Sequence, residues 1–413
     1  MVWQPNPTVT IGGVDYTGDT LETVRIDRGR DNVFAEPRAG YLVCELIDQT
    51  GTGLDFDVLD TITVTLDDSN GQPVTVYAGN VSDWTSRLYD TGFESGSPRS
   101  ITTIIAVSAL AQLNRRNVAQ SGLPAGKDGD RMFDLIKQGL AITYEEFPAT
   151  TFEDMPADLT FEQVDPDFDP TLIDRPGVFD IAPLPADDQG YNPLSQGYLT
   201  AFSGRGVLFD TREGFVAYAD NDRRENDAEA GYLELPAAIM STAQLTTRSQ
   251  FADIVNRVGL TFEGGSVRVS DEQSIIAFGV LARQFETNLA DQTAAELWAV
   301  DYLEDHAGPV INLSGVAIRL DTLTDDGLRD LLVEIEVGTP VSLQGLPGTL
   351  GLTALPAFVE GVSWRIDRER VNLSLDVSDA ALSIGSIRYG LVPASLRFED
   401  VDATLRYQDA RRL

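Results

Sequence analysis

The sequence is poor in three residue types that carry much of protein chemistry: its 413 residues include one cysteine, one histidine and only two lysines, Lys127 and Lys137. A single thiol excludes an internal disulfide and any cysteine-based metal cage. Cys44 lies in "GYLVCELI", among strand-type residues, and reads as a buried core thiol rather than a reactive one. His306 alone excludes histidine-rich metal sites and leaves any serine triad dependent on it. It stands in "YLEDHAGP" at the end of a helix, before a helix-stopping Gly308-Pro309, where the dipole favours a cation; it reads as a C-terminal cap, not a catalytic base. No run approaches the roughly 20 apolar residues of a membrane span. The start, "MVWQPNPTVT", lacks the basic and apolar regions of a signal peptide. The expectation is a protein made and folded in a cytoplasm, with no membrane insertion. No nucleotide or flavin fingerprint, metalloprotease helix or nucleophile elbow is present.

What the sequence has in excess is acid. Asp and Glu number 65 against 30 Lys and Arg, a formal net of −35. Such a surface repels nucleic acid and anionic lipid. Arginine supplies nearly all the positive charge, which favours fixed bidentate pairs, within and between subunits, over a flexible basic patch. Carboxylates are so abundant that no single pair marks a glycosidase. "DPDFDP" (Asp165, Asp167, Asp169) imitates the opening of a calcium loop, but Pro170 stands where that loop needs glycine and Pro176 where it needs a closing glutamate. It reads as a solvated acidic loop. No catalytic, cofactor-binding or metal residue is assigned, and no cofactor is expected.

The periodicities give β-rich ends and a mixed middle. "TITVTL" alternates Ile62, Val64 and Leu66 with threonines, Asn70-Gly71 offers a tight turn, and "PVTVYAGNV" returns, a barrel or sandwich pattern. Ser108 can cap a short helix carrying Leu110 and Leu113. A second helix from about Asp128 puts Met132, Leu135, Ile136 and Leu140 on one face. From Phe147 to Asn192 the chain is dense in proline and aspartate, without a sustained period, and reads either as an extended excursion that orders mainly against other subunits or as a mobile loop. Leu194, Tyr198, Leu199 and Phe202 then recur at helical spacing, with Gly204 and Gly206 ending the helix in a left-handed turn. Val207 to Phe209 and Phe215 to Tyr218 form a hairpin around Gly214, and "DNDRRENDAEAG" reads as a polar hinge. Strands flank Gly264-Gly265, a helix spans about Ala290 to Asp305, and Val362, Trp364 and Ile366 alternate in a late strand. The expected division is 1–107, 108–240, 241–335 and 336–413.

Several stretches resemble one family. "IDRGRDNVFAEPRAGYLVCELIDQTG", "VYAGNVSDW", "GRGVLFDTREGFVAYADNDRR", "FADIVNRVGLTFEGGSVRVSDEQSIIAFG", "VGTPVSLQGLP" and "FVEGVSWRI" are similar to segments of minor tail proteins of long-tailed phages infecting actinobacteria, relatives of the baseplate hub (tail-associated) proteins. The resemblance implies a mixed β and α+β hub-type fold with β-barrel domains at both ends of the chain and α/β domains between. It further implies a non-enzymatic virion component at the tail tip of a siphovirus, assembled in the host cytoplasm. The partners it implies are its own copies in a homotrimer, the distal tail protein, the tape measure protein and other minor tail or fibre proteins, with genome DNA passing without specific binding. Two readings from other classes stay open: a cell-wall or glycan hydrolase, and a carbohydrate-binding tail module.

Overall fold

A computed structural model describes residues 3–17, 21–32, 35–48, 53–90, 99–140, 170–241, 245–248, 251–309, 312–350, 353–367 and 370–380. Among these residues twelve strands join one large sheet. Its first half follows the expected alternation: Thr61–Asp67 buries Ile62, Val64 and Leu66, turns at Gly71 with φ 75°, and pairs antiparallel with Pro73–Asp90. Arg38–Asp48 lies between Leu21–Gly29 and Arg99–Val107 and buries Leu42, Cys44 and Leu46. Burial first, and Glu45 second, push the Cys44 thiol up to about 12, so it is a core thiol.

The two ends of the chain meet in this sheet. The strand Ala354–Asp367 has Val371–Asp379 along one side; along the other, Pro340–Gln344 pairs with its beginning and Leu21–Gly29 with its end. A bulge between Val359 and Gly361 marks the change of partner. Gly29 makes the crossing possible: its φ is +86°, and a Cβ there would stand 2.3 Å from the Glu360 carbonyl oxygen. The expectation of a separate β-barrel at each end is therefore corrected. Among the described residues the large sheet runs as one open ladder from Leu233–Pro236 to Val14–Asp15, with Val371–Asp379 and Val316–Arg319 branching from Ala354–Asp367. Leu21–Gly29 has both its edges filled, one by the N-terminal half and one by the C-terminal half.

Beside the sheet, the helix Asp128–Leu140 buries Met132, Leu135, Ile136 and Leu140, and with Pro193–Ser203 it forms a second core against the hairpin Val207–Asp210 and Val216–Ala219. A third core lies under a three-stranded sheet, Gly265–Ser270, Arg257–Phe262 and Ala282–Glu286, covered by the helix Gln292–His306. The supposed hinge is a helix, Asn221–Ala230: Asp220 accepts from Arg223 N at 2.9 Å as its N-cap, and capping offsets the weak helix propensity of this polar run.

The described part of the acidic excursion, residues 170–192, is packed on its own chain. Ile173, Ile181 and Ala182 are buried, Asp180–Ile181 pairs with Gly126–Lys127, and Tyr191 bridges Val118. A few isolated apolar anchors suffice where aspartate and proline hide any period. Asp165, Asp167 and Asp169 lie outside the described residues.

Candidate functional site

The hairpin that carries Asp210 is where the middle of the chain engages the sheet. Asp210 Oδ2 accepts from Gly40 N at 2.6 Å and Ser108 Oγ at 2.5 Å, while Oδ1 accepts from Leu110 N at 3.1 Å. Ser108 does stand at the start of the helix Ala109–Leu113, but its hydroxyl makes no cap. Asp210, about a hundred residues away in the chain, satisfies the helix instead. Burial raises the Asp210 carboxyl to about 6 against the pull of these donors and of Arg28. Arg28, itself buried, donates to Asp210 O at 3.0 Å and to Glu336 Oε1 at 2.6 Å. Asp128 is similar: burial raises it to about 6, although the Tyr218 hydroxyl donates to it at 2.6 Å and Phe179 N at 2.7 Å.

Gly204 and Gly206 matter for space, not handedness. Gly204 has φ −83° and Arg205 takes the left-handed turn at φ 54°. A Cβ on Gly206 would sit 2.5 Å from the Tyr218 hydroxyl, and one on Gly204 would sit 2.7 Å from Asp128 Oδ2. The Tyr218–Asp128 pair fills the volume that these residues vacate.

At the joint between the chain ends lies a buried charge cluster. Glu360 Oε2 accepts from Arg30 Nε and Oε1 from Arg224 Nη2, each at 2.7 Å. Burial alone would raise the Glu360 carboxyl, but Arg224 and Arg30 together hold it below its usual range. The Arg224 guanidinium also faces the Phe358 ring at 4.5 Å.

Above this cluster opens a cleft of about 610 Å³, bordered by Arg30 and Glu36, by the helix Pro193–Ser203, and by Arg283, Phe285 and the helix Gln292–His306. One wall is aromatic. Phe202 and Phe285 stand 5.0 and 5.3 Å from Trp298, which stacks on Tyr302 at 5.4 Å, and Tyr302 stacks on His306 at 4.0 Å. His306 is the last residue of its helix, as expected, but not as a charged cap. Burial lowers it to about 4 despite the Tyr302 carbonyl 2.8 Å from Nδ1, so at neutral pH it is an uncharged ring extending the stack. Arg205 is paired with Asp301 at 2.8 Å. Among the described residues no group of three or more His, Cys, Asp or Glu is placed to hold a metal ion, and no helix is long and apolar enough to cross a membrane.

None of Arg30, Arg224 and Glu360 stands out as a site residue in the sequence. Glu360 had a signal, a lone acid inside the apolar run "ALPAFVEGVSW"; Arg224, in a polar helix, had none.

No family model and no curated protein matches the sequence. Solved structures do match. The 43 kDa tail protein of prophage MuSo2 from Shewanella oneidensis is similar over 92% of this chain and 99% of its own, with a TM-score of 0.55 at 12% identity. A tail protein from Neisseria meningitidis is similar over 92% of this chain and 98% of its own, with a TM-score of 0.54 at 14% identity. The chain thus has the fold of phage tail proteins over nearly its whole length, and the tail-protein resemblance of the sequence holds at the level of fold.

Proposed function

We propose that this chain is a structural, non-enzymatic protein of a phage tail, acting at the tail tip as a hub. The observation that carries the reading is the near-complete coverage in both directions by two tail-protein structures, since a shared domain on an unrelated protein would match only in part. Fold alone does not assign function; agreement with the tail-type segments in the sequence is the second support. In this reading three copies form a ring that connects the tail tube, through a distal tail protein, to the tape measure protein and to fibres. The net charge of −35 suits a lumen lined with carboxylates, along which DNA slides because no phosphate contact releases counterions.

The test is antibody labelling of intact virions in the electron microscope, with a mass measurement of the purified protein. Labels at the tail tip and a mass three times that of the chain are expected. Labels along the whole tube, or none on the virion, would overturn the hub assignment. Tight DNA binding by the protein at moderate salt would overturn the conduit.

A further inference from the structure

The charge cluster beneath the cleft does not balance. Arg30 and Arg224 share the single carboxylate of Glu360, and the three side chains keep 7%, 2% and 0% of their exposure. A surplus cation so far from water is costly unless an anion reaches it. Burial lowers the Arg30 pKa, with Glu360 opposing the shift and Arg224 adding to it. Arg30 Nη2 has no hydrogen-bond partner among the described residues, and Arg30 borders the cleft.

The cleft adds to the same imbalance. Arg283 forms no ion pair among the described residues; it reaches the Tyr302 hydroxyl at 3.3 Å and lies over the Phe285 ring at 5.1 Å. Its pairing is therefore with neutral groups only. Among the described residues of the lining Glu36 is the one carboxylate, and it is exposed. His306, held neutral, neither repels nor supplies charge. The volume suits a small ligand or one or two side chains, and the aromatic wall keeps the dielectric low around whatever enters.

We infer that the cleft is an anion site for a carboxylate, which lies beside Arg30 and Arg283 and supplies the negative charge that the buried cluster lacks. The ring-lined wall favours a carboxylate carried on an apolar or aromatic group over a free phosphate, which has no surface to lay against Phe202, Phe285 and Trp298. A guanidinium fork also receives a planar carboxylate in two parallel bonds. The carboxylate belongs either to a free small molecule or to an acidic side chain on a segment of a partner, and the same two arginines would hold both.

Isothermal titration of the full chain separates the two sources. One arm uses N-acetylphenylalanine, which has one carboxylate and one ring, against its uncharged amide. The other uses an end-capped peptide of twelve glutamates against the same length of glutamine. Binding of at least one acid over its neutral counterpart is expected, because a molecule of this net charge holds polyanions only at a local cationic site. Arg283→Glu should weaken that binding tenfold or more, and Arg283→Gln less; Arg283 is exposed, so both variants should fold. Binding of the amino acid alone identifies a small-molecule site, and binding of the peptide alone a partner segment. The inference fails if neither acid binds better than its amide, or if both Arg283 variants bind as the wild type does.

Discussion

Trp364 and Trp298 anchor two of the buried cores, and they are enclosed in different ways. Trp364 faces Ile26 across one ladder and Leu373 across another, so its surroundings come from opposite ends of the chain and are fastened by the Arg30–Glu360–Arg224 cluster. Trp298 is surrounded by rings, and two of them, Phe285 and Tyr302, are near it in sequence. The first arrangement is a joint: it stands only when distant segments arrive together, and each charge depends on the others. The second is a lobe of mostly local contacts, which forms at lower entropic cost and loses stability by degrees. A variant retaining only Trp364 and another retaining only Trp298 would let fluorescence report on each separately.

The largest expected effect breaks the joint. Glu360→Gln leaves two buried guanidinium groups without a carboxylate and should cost about 3–5 kcal/mol in denaturant unfolding. The transition seen by Trp364 should move well ahead of that seen by Trp298; two transitions that stay superimposed would show that the regions unfold as one. Gly29→Ala should come next, at about 2–4 kcal/mol, because it adds a Cβ in a left-handed conformation against the Glu360 carbonyl. Again Trp364 should report it first.

A pH series sharpens the comparison, because buried groups in the two regions titrate in opposite senses. His306 is lowered to about 4 from 6.5, so between these values the unfolded chain takes a proton that the lobe refuses. Its contribution is present above about 6.5 and is lost as pH falls towards 4, amounting to about 2–3 kcal/mol. His306→Phe, which keeps the stack, should flatten this acid-side loss in the Trp298 signal. Asp210, raised to about 6 from 3.8, behaves conversely: its contribution is full below about 4 and is lost as pH rises through 6. Asp210→Asn should remove that dependence from the Trp364 signal, and an unchanged slope in either variant would mean that the group titrates as it does in water. The smallest effect concerns Leu59, which is exposed and has φ +78°. Leu59→Gly relieves that conformation against the added freedom of the unfolded chain, and should raise stability by less than about 1 kcal/mol on a melting curve.

Elements with a local cause could be read from the sequence. The Asn70-Gly71 and Gly264-Gly265 hairpins, the helix over Met132 to Leu140 and the aromatic-bearing helix ending at His306 each carry their own period or turn residue. Elements with a distant cause could not. Nothing near Leu21–Gly29 announces that its second neighbour is Ala354–Asp367, because alternation specifies a face and not a partner. Ser108 was legible as a helix start, but Asp210 as its cap was not, since the donor and acceptor meet only after the hairpin docks. The same holds for the cleft: Arg30, Arg224, Arg283 and Glu360 come from four elements, and their surplus of charge exists only once those elements are together.

The pairing of Gly29 with Gly361 also sets a schedule. A ribosome adds roughly 5–20 residues per second, so Leu21–Gly29 emerges tens of seconds before the strand that will cover its second edge. Throughout that interval a nascent chain presents an open β-edge with Val24 and Ile26 beside it, to neighbours on the same messenger that present the identical edge. Partial products ending before Ala354 would keep that edge indefinitely. Yield in the cell should therefore depend on translation speed and on chaperones that shield strands, more than on the stability of the finished molecule.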